Sequence, residues 1–396
     1  MAEFGFLHHP HAVWWRKAIF QIHLWIGIVL CLYMLVIGLT GSILVFGDEL
    51  ETLANPHLIL DANPDRLPTI TLPQAVAKVR AAYPGDHVAV AYAPRREGQT
   101  YSIFLNHEGV FQRVYVSPAT GQILGIVDPR HSLLGLITQI HFRLNAGQTG
   151  SILNGIGAIF LLLLCLSGTI LWWPGVRNWR RGLRINLRAN WKRINFDLHS
   201  AAGFWALALL SLWAITAICF VWPRQTRALI DHISPTRNAE PPDYPVPQHP
   251  ANQPRASLDA ILAEARRQSP HTTLAGFFFP AGNKGAITVL TTRAQRGNFT
   301  QSDYVYIDPV TAKTIAIWHR GQSTTLGEHL LALAEPLHFG LYWGMGIKIL
   351  WGLFGLALPA LAITGALMYW NRSLSKKWHG LSNRTNLPRQ TISDRV

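Results

Sequence analysis

The chain has 396 residues, with 35 Lys and Arg against 21 Asp and Glu for a formal net charge of +14, yet only 14% of it is charged and 49% is hydrophobic. Much of the excess charge falls in short stretches beside long apolar runs, where it directs membrane topology, so the basic balance gives no reason to invoke nucleic acid. Cys31, Cys165 and Cys219 all lie inside apolar runs, which excludes a disulfide framework for the rest of the chain.

Residues 1–18 form a short N-terminus whose His8, His9 and His11 read as surface decoration. A hydrocarbon core of about 30 Å needs roughly 20 apolar residues in helix. Four segments meet that length: 19–46, 149–173, 199–222 and 343–370. The first is too long for a signal-peptide core and is read as a retained anchor. Trp14, Trp15, Trp172, Trp173, Trp222, Trp351 and Trp370 cluster at the predicted helix ends, as interface belts do. Residues 1–18, 174–198 and 371–396 hold 15 of the 35 Lys and Arg, with Glu3, Asp197 and Asp394 their only acids. Short basic loops stay in the cytoplasm. The connections 47–148 and 223–342, close to neutral, then lie on the outer face.

Each connection predicts a small α+β unit. LPQAVAKVRAAYP (72–84) and LDAILAEARRQSP (258–270) have helical apolar spacing ended by Pro. VYVSPATGQILG (114–125) and VYIDPVTAKTIA (305–316) each read as strand, Pro-containing turn and strand. The stretch 234–254 carries seven prolines and reads as an extended linker.

The chain is internally duplicated. Residues 21–41 resemble 197–217, and 152–174 resemble 349–371. His23 to Thr40 and His199 to Thr216 are both 17 residues; His141 to Ser167 and His338 to Thr364 are both 26. The first two spans are thus repeated as the last two. The fold class expected is a four-transmembrane-helix bundle of two parallel repeats with two outer α+β domains, the repeats related by a pseudo-twofold along the membrane normal.

That symmetry puts His23 and His199 at one depth on the cytoplasmic side and His141 and His338 together on the outer side. Polar groups near spans are costly and functional, and paired neutral imidazoles are what a six-coordinate haem iron requires. Pairs on opposite sides of the membrane cannot share one copper, zinc or iron ion. His131 and His329 sit at unmatched offsets and rank as reserve ligands. Gly27 and Gly203 each follow a histidine by four residues, on the same helix face. His141 and His338 precede their apolar cores by about ten residues, roughly 15 Å of straight helix. Bends at Gly147, Gly150, Gly344 or Gly346 would bring them back.

HLWIGIVLCLYMLVIGLTGSILVFGDEL (23–50), the turns YVSPATGQILG and YIDPVTAKTIA, LSGTILWWPG, and the helix starts IHFRL, DLHSAAGFW and LHFGLYWG resemble the PepSY-associated transmembrane helix family, bacterial inner-membrane proteins linked to iron and siderophore uptake. The resemblance covers nearly the whole chain. Within that family it resembles the di-haem ferric-siderophore reductases of the ferrioxamine type. It implies two periplasmic PepSY-like domains and two haem b, the inner held by His23 and His199, the outer by His141 and His338. Electrons would pass from a quinol or cytoplasmic donor through both haems to a ferric siderophore, releasing Fe(II). Two departures concern Ala312, where the first repeat has Gly121, and Ala201, where it has Trp25. No CxxCH, GxSxG, HExxH or post-strand GxGxxG occurs, and the cytoplasmic segments are too short for a flavin or nicotinamide domain. Tyr92, Tyr101, Phe277, Phe278, Phe279 and Arg320 are candidate outer contacts for the siderophore.

Two other classes remain. In one, the outer domains make this a non-redox binding or accessory protein of metal uptake. In the other, the repeats belong to a transporter, which lacks intramembrane carboxylates and has only Lys348 near a span end.

Overall fold

The computed structural model describes residues 14–62, 68–176, 178–250, 253–282, 284–293, 301–342 and 344–374. His8, His9, His11 and the basic tail beyond 374 lie outside them. The chain divides into two units, one of residues 1–45, 140–221 and 343–396, the other of 46–139 and 222–342.

The first unit holds the apolar runs. Helices α1 (Trp15–Val29) and α2 (Cys31–Leu44) form a pair bent by 63° at Leu30. The first run is therefore broken, where the sequence predicts one continuous span. Helix α7 (Gly147–Trp172), helix α8 (Trp191–Val221) and the stretch Gly344–Ser373 are each long and apolar enough to cross a membrane, and the bent pair counted as one span makes four. The last stretch contains α12 (Gly344–Gly355) and α13 (Ala357–Tyr369). Pro359 has no N–H to continue the ladder, and the two helices meet at Leu356.

Neighbouring spans pack in a closed order: α1 on α7, α7 on α8, α8 on α13, and α13 on α2. Their core is Met34, Leu161, Leu164, Cys165, Ala206, Leu210, Ala214, Leu358, Leu361 and Ala362. Gly38 admits a close crossing, because a Cβ there would collide with Pro359 Cδ. Large apolar side chains on the outer faces stand open, Val29 at 78% and Trp205 at 61%, a surface suited to hydrocarbon and not to water.

The second unit contains an antiparallel sheet in the order β4-β3-β2-β1-β5-β6-β7-β8. The strands are β1 (His87–Tyr92), β2 (Tyr101–His107), β3 (Val110–Val116), β4 (Ile123–Val127), β5 (Thr273–Phe278), β6 (Ile287–Thr292), β7 (Ser302–Ile307) and β8 (Thr314–Arg320). The two expected α+β halves are present, but they join edge to edge through β1 and β5, with Val90 opposite Phe278. This junction leaves neither central edge unpaired, which is why the halves share one sheet.

Two helices pack on one face of that sheet. Thr71 caps α5 (Leu72–Ala82) in a capping box with Gln74, and Ser257 caps α10 (Leu258–Gln268) through Ala260 N. Val76, Val79 and Ile261 meet Ile103, Leu105, Val114, Phe277, Val289, Val305 and Ile307 in one core. The Pro-rich stretch is extended yet tied down: Trp318 Nε1 donates to Asn238 O at 2.9 Å and His249 Nε2 lies 2.9 Å from Asp308. The shorter helices are α3 (Gly47–Ala54), α4 (Pro56–Ile59), α6 (Leu133–Arg143), α9 (Pro223–Asp231) and α11 (Leu326–Phe339).

Candidate functional site

Each predicted imidazole in the first unit is held in the same way. His23 Nδ1 lies 2.9 Å from Ser167 Oγ, His199 Nδ1 lies 2.9 Å from Thr364 Oγ1, and His141 Nδ1 lies 3.0 Å from Thr40 Oγ1. These hydroxyls have already committed their hydrogens. Ser167 donates to Leu163 O, Thr364 to Ala360 O and Thr40 to Val36 O, each at 2.7 Å and one helical turn back. A hydroxyl that donates elsewhere must accept here, so Nδ1 carries the ring proton. Each imidazole is therefore the Nδ1–H tautomer, with the Nε2 lone pair free to ligate.

Glycines complete the cradle. A Cβ at Gly168 would stand 3.3 Å from His23 Cε1, at Gly365 3.4 Å from His199 Cε1, and at Gly41 2.9 Å from His141 Cε1. Ser167-Gly168, Thr364-Gly365 and Thr40-Gly41 thus act alike: the hydroxyl takes the proton and the glycine leaves room for the ring edge. Gly27 and Gly203 do not belong to this arrangement. A Cβ on either would make ordinary contact, with Leu164 and Leu361 respectively, so they serve helix packing.

His23 lies on α1 and His199 on α8. His141 rides the last turn of α6, after which Leu144, Asn145 and Gly147 take positive φ of 47°, 54° and 57° and the chain turns into α7. The segment bends as the glycines allow, and the bend returns His141 to Thr40. The turn is held by Asn154, whose Nδ2 donates to His141 O at 2.7 Å while its Oδ1 accepts from Tyr33 O–H at 2.8 Å. A Cβ at Gly157 would collide with the Tyr33 ring.

His338 belongs to the second unit, in the last turn of α11, half-buried with its ring 5.3 Å edge-on from Phe339. Gly340 ends that helix at φ 66°. Thr216 donates to Leu212 O at 2.8 Å, as Thr40 does to Val36 O. His131 is an exposed partner of Asp128 at 3.3 Å, and His329 lies in the first turn of α11.

The outer candidates separate by sheet face. Phe277, Phe279 and Tyr101 are buried, Tyr101 donating to Ile70 O at 2.9 Å. Tyr92 and Phe278 lie on the opposite face in a row of rings with Phe104, Tyr304 and Trp318, at centroid spacings of 5.0 to 6.3 Å. Arg113 caps the row over Phe104, and Arg320 pairs with Glu335. Phe104, Tyr304 and Trp318 escaped the sequence reading; their signal was the alternation of aromatic with core aliphatic residues along β2, β7 and β8.

Among the described residues, no three His, Cys, Asp or Glu side chains gather to hold a metal ion. The donor set is of the kind haem takes: neutral imidazoles with Nε2 left over, each with a glycine close against the ring edge. The hydroxyl partners are the residues that sequence reasoning used only as markers of spacing. No curated protein matches the chain. Residues 20–372 match the family described as PepSY-associated TM region, and the chain belongs to that membrane-associated family.

Proposed function

We propose that the protein is a haem-dependent ferric-siderophore reductase of the bacterial inner membrane, with both termini in the cytoplasm and the sheet-bearing unit in the periplasm. The observation that carries this reading is the locked tautomer of three imidazoles, each leaving Nε2 as a ligand. His23 and His199 are assigned to one haem b, and the repeat assigns His141 and His338 to a second. When bound, haem supplies one-electron transfer, and a ferric siderophore so reduced loses much of its hold on iron and releases Fe(II).

The chain's own residues supply orientation and environment. Ser167, Thr364 and Thr40 fix the proton on Nδ1 and turn each ring; their acceptor role raises the electron density at Nε2. Met34, Leu161, Leu164, Leu361 and their neighbours give the spans an apolar core. No general acid, base or nucleophile is required, and the donor is a quinol or a separate cytoplasmic protein.

The test mixes dithionite-reduced, desalted protein with a ferric hydroxamate siderophore and an Fe(II)-trapping dye. The expected result is reoxidation of the protein with stoichiometric Fe(II) capture. A reduced spectrum that stays unchanged with no Fe(II) formed would remove the siderophore and leave the outer unit as a binding module.

A further inference from the structure

At one end of the spans the two repeats part company. In the first repeat Arg16 lies across the end of α7, donating to Leu171 O and, at 3.1 Å, to Trp173 O. Lys192 holds the equivalent place in the second repeat, 176 residues on. There the last span continues into a π-turn, Trp370–Leu374. Between the start of α8 and this turn opens a crevice of about 300 Å³, lined by Lys192, Asn195, Phe196, Met368, Asn371 and Arg372.

Two cations and two carboxamides line it, with no carboxylate among the described residues. Asp197, the acid next along α8, is engaged elsewhere, 2.9 Å from Arg193 Nε and accepting from Asn186 N at 3.2 Å. Arg372 is steadied over the Phe20 ring at 4.8 Å, and Asn371 Nδ2 donates to Leu367 O at 2.8 Å. Phe196, half open at 51%, and Met368 give the crevice an apolar wall. Ammonium and guanidinium above an apolar wall, at the end of membrane spans, match a phosphate above acyl chains.

We propose that this crevice binds the head group of an anionic phospholipid. Its floor also touches the candidate site: Asn195 Nδ2 donates to Thr364 O at 3.0 Å, and Thr364 is the residue that accepts from His199. An occupied crevice therefore steadies the helix turn that holds one imidazole. The inference needs no haem and stands apart from the reductase reading.

The test compares thermal unfolding of the full chain in nanodiscs of phosphatidylcholine alone and with a fifth phosphatidylglycerol. The expected result is a rise of roughly 2–4 °C with the anionic lipid, abolished in the double variant Lys192→Gln/Arg372→Gln and retained in Arg188→Gln, which removes a charge outside the crevice. Native mass spectrometry of the wild type released from mixed discs should show phosphatidylglycerol on the chain, which tests the proposal even if the double variant folds poorly. No rise and no retained lipid, an equal rise in the double variant, or a rise reproduced by inorganic phosphate in phosphatidylcholine discs would each overturn it.

Discussion

The two repeats agree where they hold His23 and His199 and differ where they only pack. His23 on Ser167-Gly168 and His199 on Thr364-Gly365 are the same construction down to the hydroxyl's bond to its own helix. Midway along the spans, Tyr33, Asn154 and Gly157 of the first repeat stand where the second has Leu209, Trp351 and Phe354. The first repeat there uses a polar clamp around the bend that carries His141; the second fills the same depth with rings, Trp351 meeting Trp213 at 6.4 Å. Duplicated packing is free to drift as long as volume is kept. A hydroxyl and a glycine set against an imidazole recur in both copies at His23 and His199, whereas Gly41 beside Thr40 is replaced by Ala217 beside Thr216 in the second repeat.

The sharpest way to break this comparison is to remove the ligands. His23→Ala or His199→Ala is expected to lower bound haem from two per chain to one, read by extraction and haemochrome absorbance, and the two variants should agree. Removing the locks comes next. Ser167→Ala and Thr364→Ala should each weaken haem retention about 10–100-fold, the usual cost of losing the partner that orients a metal-bound imidazole, as measured by transfer to an apo-acceptor. A loss in only one of them would show that the repeats are not equivalent.

Packing changes should then distinguish the repeats. Asn154→Leu removes the donor to the His141 carbonyl, while the Tyr33 hydroxyl keeps the backbone carbonyl of residue 154, and is expected to cost about 1–3 kcal/mol, seen as a lower unfolding midpoint. The smallest effect concerns the outer turns. Gly121 and Ala312 take φ of 69° and 52° at matching places, a conformation that costs a non-glycine residue about 1–2 kcal/mol. Ala312→Gly should therefore stabilise the chain by about 0.5–1 kcal/mol, and Gly121→Ala should destabilise it, the more so because its Cβ would press on Ile70.

Much of this was legible in the sequence. The apolar runs, the duplication, the helices of the outer segments and the choice of His23, His141 and His199, which the structure sets against hydroxyls, follow from apolar length, matched spacing and helical periodicity. The break at Leu30 was not, because neither Pro nor Gly marks it and each half reads as unbroken apolar helix. The joining of β1 to β5 was also hidden, since pairing between two segments more than 170 residues apart leaves no local trace. The hydroxyl locks lay in plain view as the far ends of the 17- and 26-residue spacings, but Ser and Thr in a span ordinarily bond only to their own helix. Their second bond, to an imidazole from another helix, is visible only once the spans are packed.

The most direct measurement of the central claim is the oxidised and dithionite-reduced absorption spectrum of the purified, detergent-solubilised chain, with haem counted per chain. A sharp b-type reduced spectrum at two haems per chain is the predicted result. A colourless protein that gains no such spectrum on reconstitution with haem would contradict it.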